Sequence, residues 1–325
     1  MAKNLKKAIC IMVDKYESVI GEAELRKAFP ILGQRQDERT LCQEKQIPYF
    51  LAFLRLLWAE EHISKQDIEI KKSNIIRIGK RSVDIPKPVD SLSGYEILTR
   101  GFIGATKYVT RRIAELGGVN ALTEKQLVQT DEWPIYVDPS FIKRKIAVLK
   151  AEDLEARIKE FERGGKLFVK PVVKPKEGHG MVITIDEVRR FPESITGGLP
   201  YQSQGIKPGR ELIPLSADYM LIASEPVEFE SDEDRTLEYR TWVVNSTPVI
   251  ITRYGQAKNL DVPKRVVDFA HDFTIAHKMR LPPHYVVDIG LEKTKGPIVV
   301  EINGISEAGD TNKEVFEKVL NAYVH

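Results

Sequence analysis

HYVVDIGLE, residues 284–292, and GPIVVEINGIS, residues 296–306, are two β-branched runs separated by the short, turn-rich EKTKG (292–296). Runs of this composition bounded by turn residues predict strands, and so short a connection predicts a hairpin. Side chains alternate along a strand, so Glu301 and Asn303 share one face, as do Val286 and Asp288. Closing the hairpin lets Asp288 sit opposite Glu301. Their flanks are apolar, and a carboxylate enclosed by apolar residues needs a partner. Magnesium prefers hard oxygen ligands, takes one or two carboxylates, and leaves its other positions to water and phosphate oxygens. Asp288, Glu301 and Asn303 are therefore candidate magnesium ligands at a nucleotide site. For each acidic residue taken alone, a solvated strand end is the competing reading.

The chain has 325 residues, long enough for two or three domains with cores of their own, and 42% hydrophobic with 30% charged residues excludes a disordered chain. With 49 basic against 47 acidic residues, the net charge of +2 argues against a general nucleic-acid binder and leaves room only for a local basic groove. Cys10 and Cys42 are too few for a disulfide framework and form no C-x-x-C pair, which fits a reducing cytoplasm. The apolar AICIMV near the amino terminus is too short for a signal peptide and leads into charged residues. No stretch approaches the roughly 20 apolar residues needed to span a bilayer. A cytoplasmic protein without a membrane segment is expected.

The first ninety or so residues read as mostly helical, with Phe50, Phe53, Leu54, Leu57 and Trp58 at spacings of three and four as the clearest stripe. A β-rich stretch follows (67–90), then TKYVTRRIAELGG (106–118), a helix stopping at Gly117-Gly118. From Trp133 the pattern changes to short strands and amphipathic helices: WPIYV as a strand, and EDLEARIKEFERGG as a helix burying Leu154, Ile158 and Phe161. KLFVKP and MVITI predict a strand pair around a loop. DYMLIASEPVEF, LEYRTWVV and TPVIITRY predict successive antiparallel strands with a turn at Asn245-Ser246. DVPKRVVDFAHDFTIAHKMR predicts a helix capped by Asp261, with Pro263 in its first turn and Val262, Val266, Phe269 and Phe273 buried. The last helix opens with a capping box, Thr311 to Glu314, and buries Phe316, Val319, Leu320 and Tyr323. Ser194 to Gly209 is the expected mobile insertion. The change of character divides the chain into a helical amino-terminal region, 1–130, and an α+β domain, 131–325.

FVKPVVKPKEGHGMVI (168–183) offers Lys170, Lys174 and Lys176 with Gly178 and Gly180 between two strands. Lysine neutralises phosphate charge, and glycine lets backbone N–H groups approach closely. It is not a Walker A loop, and a basic hairpin tip in solvent is the alternative. Ser224, Glu225 and Pro226 end a strand that can read an adenine edge, with a nearby carboxylate for the ribose hydroxyls. Glu238 and Arg240 share a strand face with Trp242, and an arginine there needs anionic company, from Glu238 or a ligand. Arg253 and Tyr254 end the next strand and can join the same cavity; for each of these residues a structural role is the competing reading. His271 and His277 lie six apart and share no zinc-binding face, so His179 in the proposed phosphate loop is the histidine to watch. Neither a G-x-S-x-G elbow nor a nucleophilic cysteine context occurs.

Taken in order, the Lys-bearing strand and Gly loop, SEPVEF, EYR, a strand ending RY, then D and E-x-N resemble the ATP-grasp superfamily. The resemblance covers roughly Trp133 to the carboxyl end and implies an ATP-grasp fold, two α+β lobes clasping ATP between antiparallel sheets. It is closest to a bacterial and phage clade with an arginine and lysines at the phosphate-binding positions. TRGFIGATKYVTRRIAELGG followed by WPIYVDPSFIKRKI is similar to the segment preceding that clade's phosphate site, which makes Arg144 the first phosphate contact. Lys170 stands where such sequences often have arginine, and KEGHG differs from their aromatic and threonine pattern.

The resemblance implies ATP and Mg2+ as cofactors. Lys170 and one of Lys174 or Lys176 then hold phosphates, Glu225 flanks the adenosine beside Ser224, Val227 and Glu238, Arg240 stabilises the transferring phosphoryl group, and Arg253 and Tyr254 face substrate. The metal ligands are Asp288, Glu301 and Asn303. The implied reaction is ADP-forming ligation of a carboxylate to an amine through an acyl phosphate, on a small molecule, peptide or protein. Alternatives are a kinase of the same fold and an ATP-binding regulatory protein without turnover.

Overall fold

The computed structural model describes residues 5–14, 38, 40–54, 66–71, 75–80, 91–100, 109–111, 113–172, 181–190, 199–200, 212–213, 220–232, 235–254, 262–306, 308 and 313–325. Lys174, Lys176, Gly178, His179 and Gly180, the Ser194 to Gly209 segment, Leu57, Trp58, Asp261 and Thr311 lie outside them. The chain divides into two units: residues 1–130, 239–287 and 303–325 form one, and residues 131–238 and 288–302 the other.

In the first unit, β1 (Lys6–Asp14), β2 (Tyr49–Leu54), β3 (Gln66–Lys71), β4 (Ile75–Lys80), β5 (Tyr95–Arg100) and β6 (Val119–Asn120) make a six-stranded sheet in the order β3-β4-β2-β1-β5-β6. β1 pairs in parallel with both β2 and β5, and only β3 runs antiparallel to its neighbour. The expectation of a mainly helical start is corrected here. Phe50, Phe53 and Leu54 lie in a strand, because the unbroken apolar run YFLAFL satisfies helical and strand spacing alike. Central parallel strands are typically such continuous runs. The helix expected before Gly117-Gly118 is present through Glu115, and Gly117 leaves it at a φ of +78°.

Ile9, Leu98, Leu127, Trp242, Val286, Phe316, Leu320 and Tyr323 meet in one buried cluster of this unit. The helix Lys313–Val324 contributes Phe316, Val319, Leu320 and Tyr323, as its spacing predicts. The helix Lys264–His277 buries Val266 and Phe273; Phe269 is only half-buried. Its amino-terminal cap position is Pro263, which offers no capping side chain. The hairpin between β15 (Glu238–Val244) and β16 (Thr247–Arg253) turns at Asn245 and Ser246, with φ of 52° and 59°. Two positive φ values in a two-residue loop match the twist of the flanking strands.

A polar group interrupts this core at His284, whose Nδ1 accepts a hydrogen bond from the Asn245 N–H at 3.3 Å. The ring meets Tyr323 edge-on at 5.5 Å, and the Lys7 ammonium lies 4.8 Å from the Tyr323 ring centre while paired with Glu96. Burial first, and the Lys7 charge second, depress the imidazole to about 4, against an opposing pull from Glu96. The folded state therefore holds fewer protons than the unfolded chain below the ordinary histidine range. Stability from this group is complete above about pH 6.5 and declines as pH falls toward 4, by at most about 3 kcal/mol. Urea midpoints of the wild type and His284→Gln, compared at pH 7.5 and 4.5, should show a smaller acid-dependent loss in the variant.

In the second unit, β7 (Ile146–Lys150), β8 (Lys166–Pro171), β9 (Met181–Thr184) and β12 (Met220–Ser224) form an antiparallel sheet in the order β7-β12-β8-β9. Leu167 and Val169 of β8 and Leu221 and Ala223 of β12 pack with Leu154, Ile158 and Phe161 of the helix Leu154–Phe161. WPIYV is not the expected strand: Trp133–Ile135 is a 3-10 turn, and Pro134 suits its donor-free opening. Two-residue ladders join β10 (Leu199–Pro200) to β11 (Leu212–Ile213) and β13 (Ser231–Asp232) to β14 (Arg235–Thr236). A further four-stranded sheet runs β16-β15-β17-β18, with β17 at Tyr285–Glu292 and β18 at Gly296–Gly304. No described helix is long and apolar enough to cross a membrane.

Candidate active site

Alternation along β8 decides what Lys170 can reach. Leu167 and Val169 face the buried helix cluster, so Phe168 and Lys170 occupy the other face. Lys170 pairs in register with Ile222, and Ser224 with Phe168. From that face the Lys170 ammonium forms an ion pair with the Glu301 carboxylate on β18; both side chains are largely buried. Asp288, 1% exposed, lies on the neighbouring strand β17. Asn303, also buried, follows Glu301 at the next position on the same face of β18.

Arg144 sits in the turn before β7, stretched across the backbone of β18. Its guanidinium donates to the carbonyl oxygens of Val299 at 2.7 Å and Val300 at 3.1 Å and lies 5.9 Å from the Trp133 ring centre. Nε is buried without a hydrogen-bond partner. Burial lowers its pKa to about 10, opposed by the Glu225 charge, so it stays cationic at neutral pH. Lys143 and Lys295 on either side exchange ammonium-to-carbonyl bonds, at 3.0 and 2.6 Å. The segment 143–145 is thereby tied to the strand that carries Glu301.

After β12 the chain continues as Glu225, Pro226 and Val227. Glu225 donates its N–H to the Lys145 carbonyl at 3.0 Å and accepts the Lys145 N–H on Oε2 at 3.2 Å, while the Ser224 hydroxyl donates to the Glu225 carbonyl at 3.1 Å. The chain then runs beside β17: Glu230 N–H donates to the Leu291 carbonyl at 2.7 Å, and Lys293 N–H to the Glu228 carbonyl at 3.0 Å. Gly290 permits this approach, because a Cβ there would lie 2.2 Å from the Phe229 ring. The segment expected to read adenine is thus bonded to the strand carrying Asp288. Val227 and Glu238 are half-buried.

Glu292 was not singled out by its sequence context, yet it builds the β17–β18 turn. Its Oε2 accepts from the Thr294 N–H at 2.7 Å, the Thr294 hydroxyl at 2.8 Å and the Lys295 N–H at 2.6 Å. Burial raises its pKa, but these hydrogen bonds and the Lys295 charge outweigh that and lower it overall. Arg163 stands 3.7 Å from the other oxygen. The readable signal was a glutamate followed two residues on by threonine at a turn.

In the first unit, the Arg240 guanidinium lies 4.5 Å from the centre of the Tyr254 ring, which is half exposed. Arg253 is buried and pairs in register with Tyr239, whereas Arg240 pairs with Thr252. Alternation therefore puts Arg253 on the face opposite Arg240. Arg240 and Tyr254 come together; Arg253 does not join them.

Among the described residues no three His, Cys, Asp or Glu side chains cluster as a metal site. The donor set Asp288, Glu301 and Asn303 contains two carboxylates and an amide, all hard oxygen donors, and Glu301 already engages a cation. Such a set fits magnesium.

The fold has counterparts among solved structures. A RimK-domain ATP-grasp protein from Sphaerobacter thermophilus is 12% identical, with a TM-score of 0.53 over 98% of this chain and 99% of that one. The D-alanine–D-alanine ligase of Bacillus anthracis complexed with ATP is 13% identical, with a TM-score of 0.52 over 98% and 95%. The macrocyclase MdnC of Microcystis aeruginosa, bound with precursor peptide MdnA, is 10% identical, with a TM-score of 0.50 over 93% and 92%. At these identities the likeness is one of fold. No curated protein matches the chain significantly. The profile of an ATP-grasp domain, family 2 of the clade named for one arginine and two lysines, matches residues 141–316, more than half of the chain. The protein therefore belongs to the ATP-grasp family, in the second family of that arginine-and-lysine clade.

Proposed function

We propose that the protein is an ATP-dependent, ADP-forming ligase that activates a carboxylate as an acyl phosphate and couples it to an amine, on a peptide or protein. Residues 131–325 serve as the ATP-grasp domain, 1–130 as a region preceding it, and the cytoplasm as its compartment. The observation that carries the reading is the meeting of Lys170 with Glu301 on the strand next to Asp288.

In this reading Asp288, Glu301 and Asn303 hold Mg2+, which when bound neutralises phosphate charge and aligns the terminal phosphoryl group. Lys170, with Lys174 or Lys176, holds phosphate oxygens, and Arg240 stabilises charge on the group in transfer. Arg144 keeps one buried N–H unpaired, which an anion can satisfy. Ser224, Glu225, Val227 and Glu238 line the adenosine, and Arg253 and Tyr254 are assigned to substrate. Phosphoryl transfer depends on positioning and electrostatics, so no side-chain nucleophile is required. A D-alanine–D-alanine ligase and a macrocyclase bound with a precursor peptide share this fold, which favours an amide product.

Purified protein given ATP and Mg2+ should release ADP only when the proper carboxylate and amine are both present. Mass spectrometry should find an amide. A phosphoester would instead identify a kinase, and nucleotide binding without ADP release under any substrate mixture would identify a regulatory protein.

A further inference from the structure

We propose that Lys170 occupies the cation position of Glu301 until nucleotide arrives, so that the metal and ATP enter as a coupled pair. The inference rests on the ATP-site reading given above and adds to it the state of the site before loading. Lys170 and Glu301 come from different sheets of the same unit, and their side chains are 12% and 20% exposed. A pair this enclosed is poorly screened by salt.

The two residues carry assignments that conflict while the pair is closed. The carboxylate has committed an oxygen and its charge to an ammonium, and a divalent ion brought to it meets that ammonium at close range. Phosphate resolves the conflict. When the Lys170 ammonium turns to a phosphate oxygen, it frees Glu301 to ligate the ion that bridges the same phosphates. Only hydrogen bonds and ion pairs exchange; no covalent bond changes. Lysine suits the movement, being a point charge on a flexible four-carbon stem. The strand itself stays anchored, because Leu167 and Val169 are fully buried in the helix cluster. The same linkage requires metal and nucleotide to tighten each other's binding by equal factors.

The probe is Mn2+, titrated by electron paramagnetic resonance into full-length protein without nucleotide. Lys170→Met and Lys170→Gln should each bind Mn2+ at least about tenfold more tightly than the wild type, a shift of about 1.4 kcal/mol. Lys170→Arg, which keeps the charge, should bind as weakly as the wild type. Two neutral variants of different polarity keep the test informative if one fails to fold. Neutral variants that bind Mn2+ no more tightly than the wild type overturn the exchange. If the wild type then still binds Mn2+ with a nonhydrolysable ATP analogue, the ATP reading survives that result; if it does not, both readings fall.

Discussion

Replacing Glu301 by alanine is expected to reduce ATP-dependent ADP release by at least about a thousandfold, equivalent to about 4 kcal/mol of transition-state stabilisation. The expectation follows from two roles meeting in one carboxylate. In the proposed site it is a metal ligand, and in the structure it is the partner of the largely buried Lys170. Removing it also leaves that ammonium without this partner, so some folding stability should be lost. Glu301→Gln separates the two effects, because it keeps the shape and a hydrogen-bond acceptor while removing the charge. The measurement is coupled-enzyme ADP release at saturating ATP, with thermal melts run beside it. Turnover of Glu301→Gln within a few-fold of the wild type, in a protein that melts normally, would sink the metal assignment.

The largest effect on stability is expected at Trp242. It is 1% exposed, sits in the core cluster with Ile9, Leu98, Val286 and Phe316, and carries the Arg100 guanidinium 5.3 Å from its ring centre. Trp242→Ala should cost about 3–5 kcal/mol through lost transfer energy and the cavity left behind. Trp242→Phe should cost clearly less. Arg100 widens the consequence, because it donates to the carbonyl oxygens of Ile305 and Ala308, just beyond Asn303, while Thr99 and Ser306 share a hydrogen bond at 2.9 Å. Guanidinium chloride unfolding should show a lower midpoint with an unchanged slope if the loss is one of packing. A midpoint shift worth less than about 1 kcal/mol would show that the ring is not a keystone of this core.

The second half of the chain was legible because its signals were local. EYRTWVV and TPVIITR alternate or run apolar between clear turn residues, and the helix Leu154–Phe161 buries the three residues its spacing selects. The amino-terminal sheet was not legible. β1 and β2 are parallel neighbours, and nothing in their composition distinguishes a central strand from one turn of buried helix. WPIYV misled for a different reason: β-forming residues surround a proline that takes the first position of a turn. The candidate site divides along the same line. Glu301 and Asn303 could be placed on one face from their spacing, but the Lys170–Glu301 pair joins residues far apart in sequence. Arg144 could be singled out, whereas its two carbonyl partners in β18 could not, since backbone acceptors leave no mark on residue type.

The core of the first unit draws Ile9 from β1 and Phe316, Leu320 and Tyr323 from the last helix. On the ribosome, therefore, the opening strands must wait for nearly the entire message to be translated before their apolar faces are covered. Domains assembled from contiguous segments can fold as they emerge; this unit depends on its final turns of helix, which makes the nascent chain a natural client for chaperones.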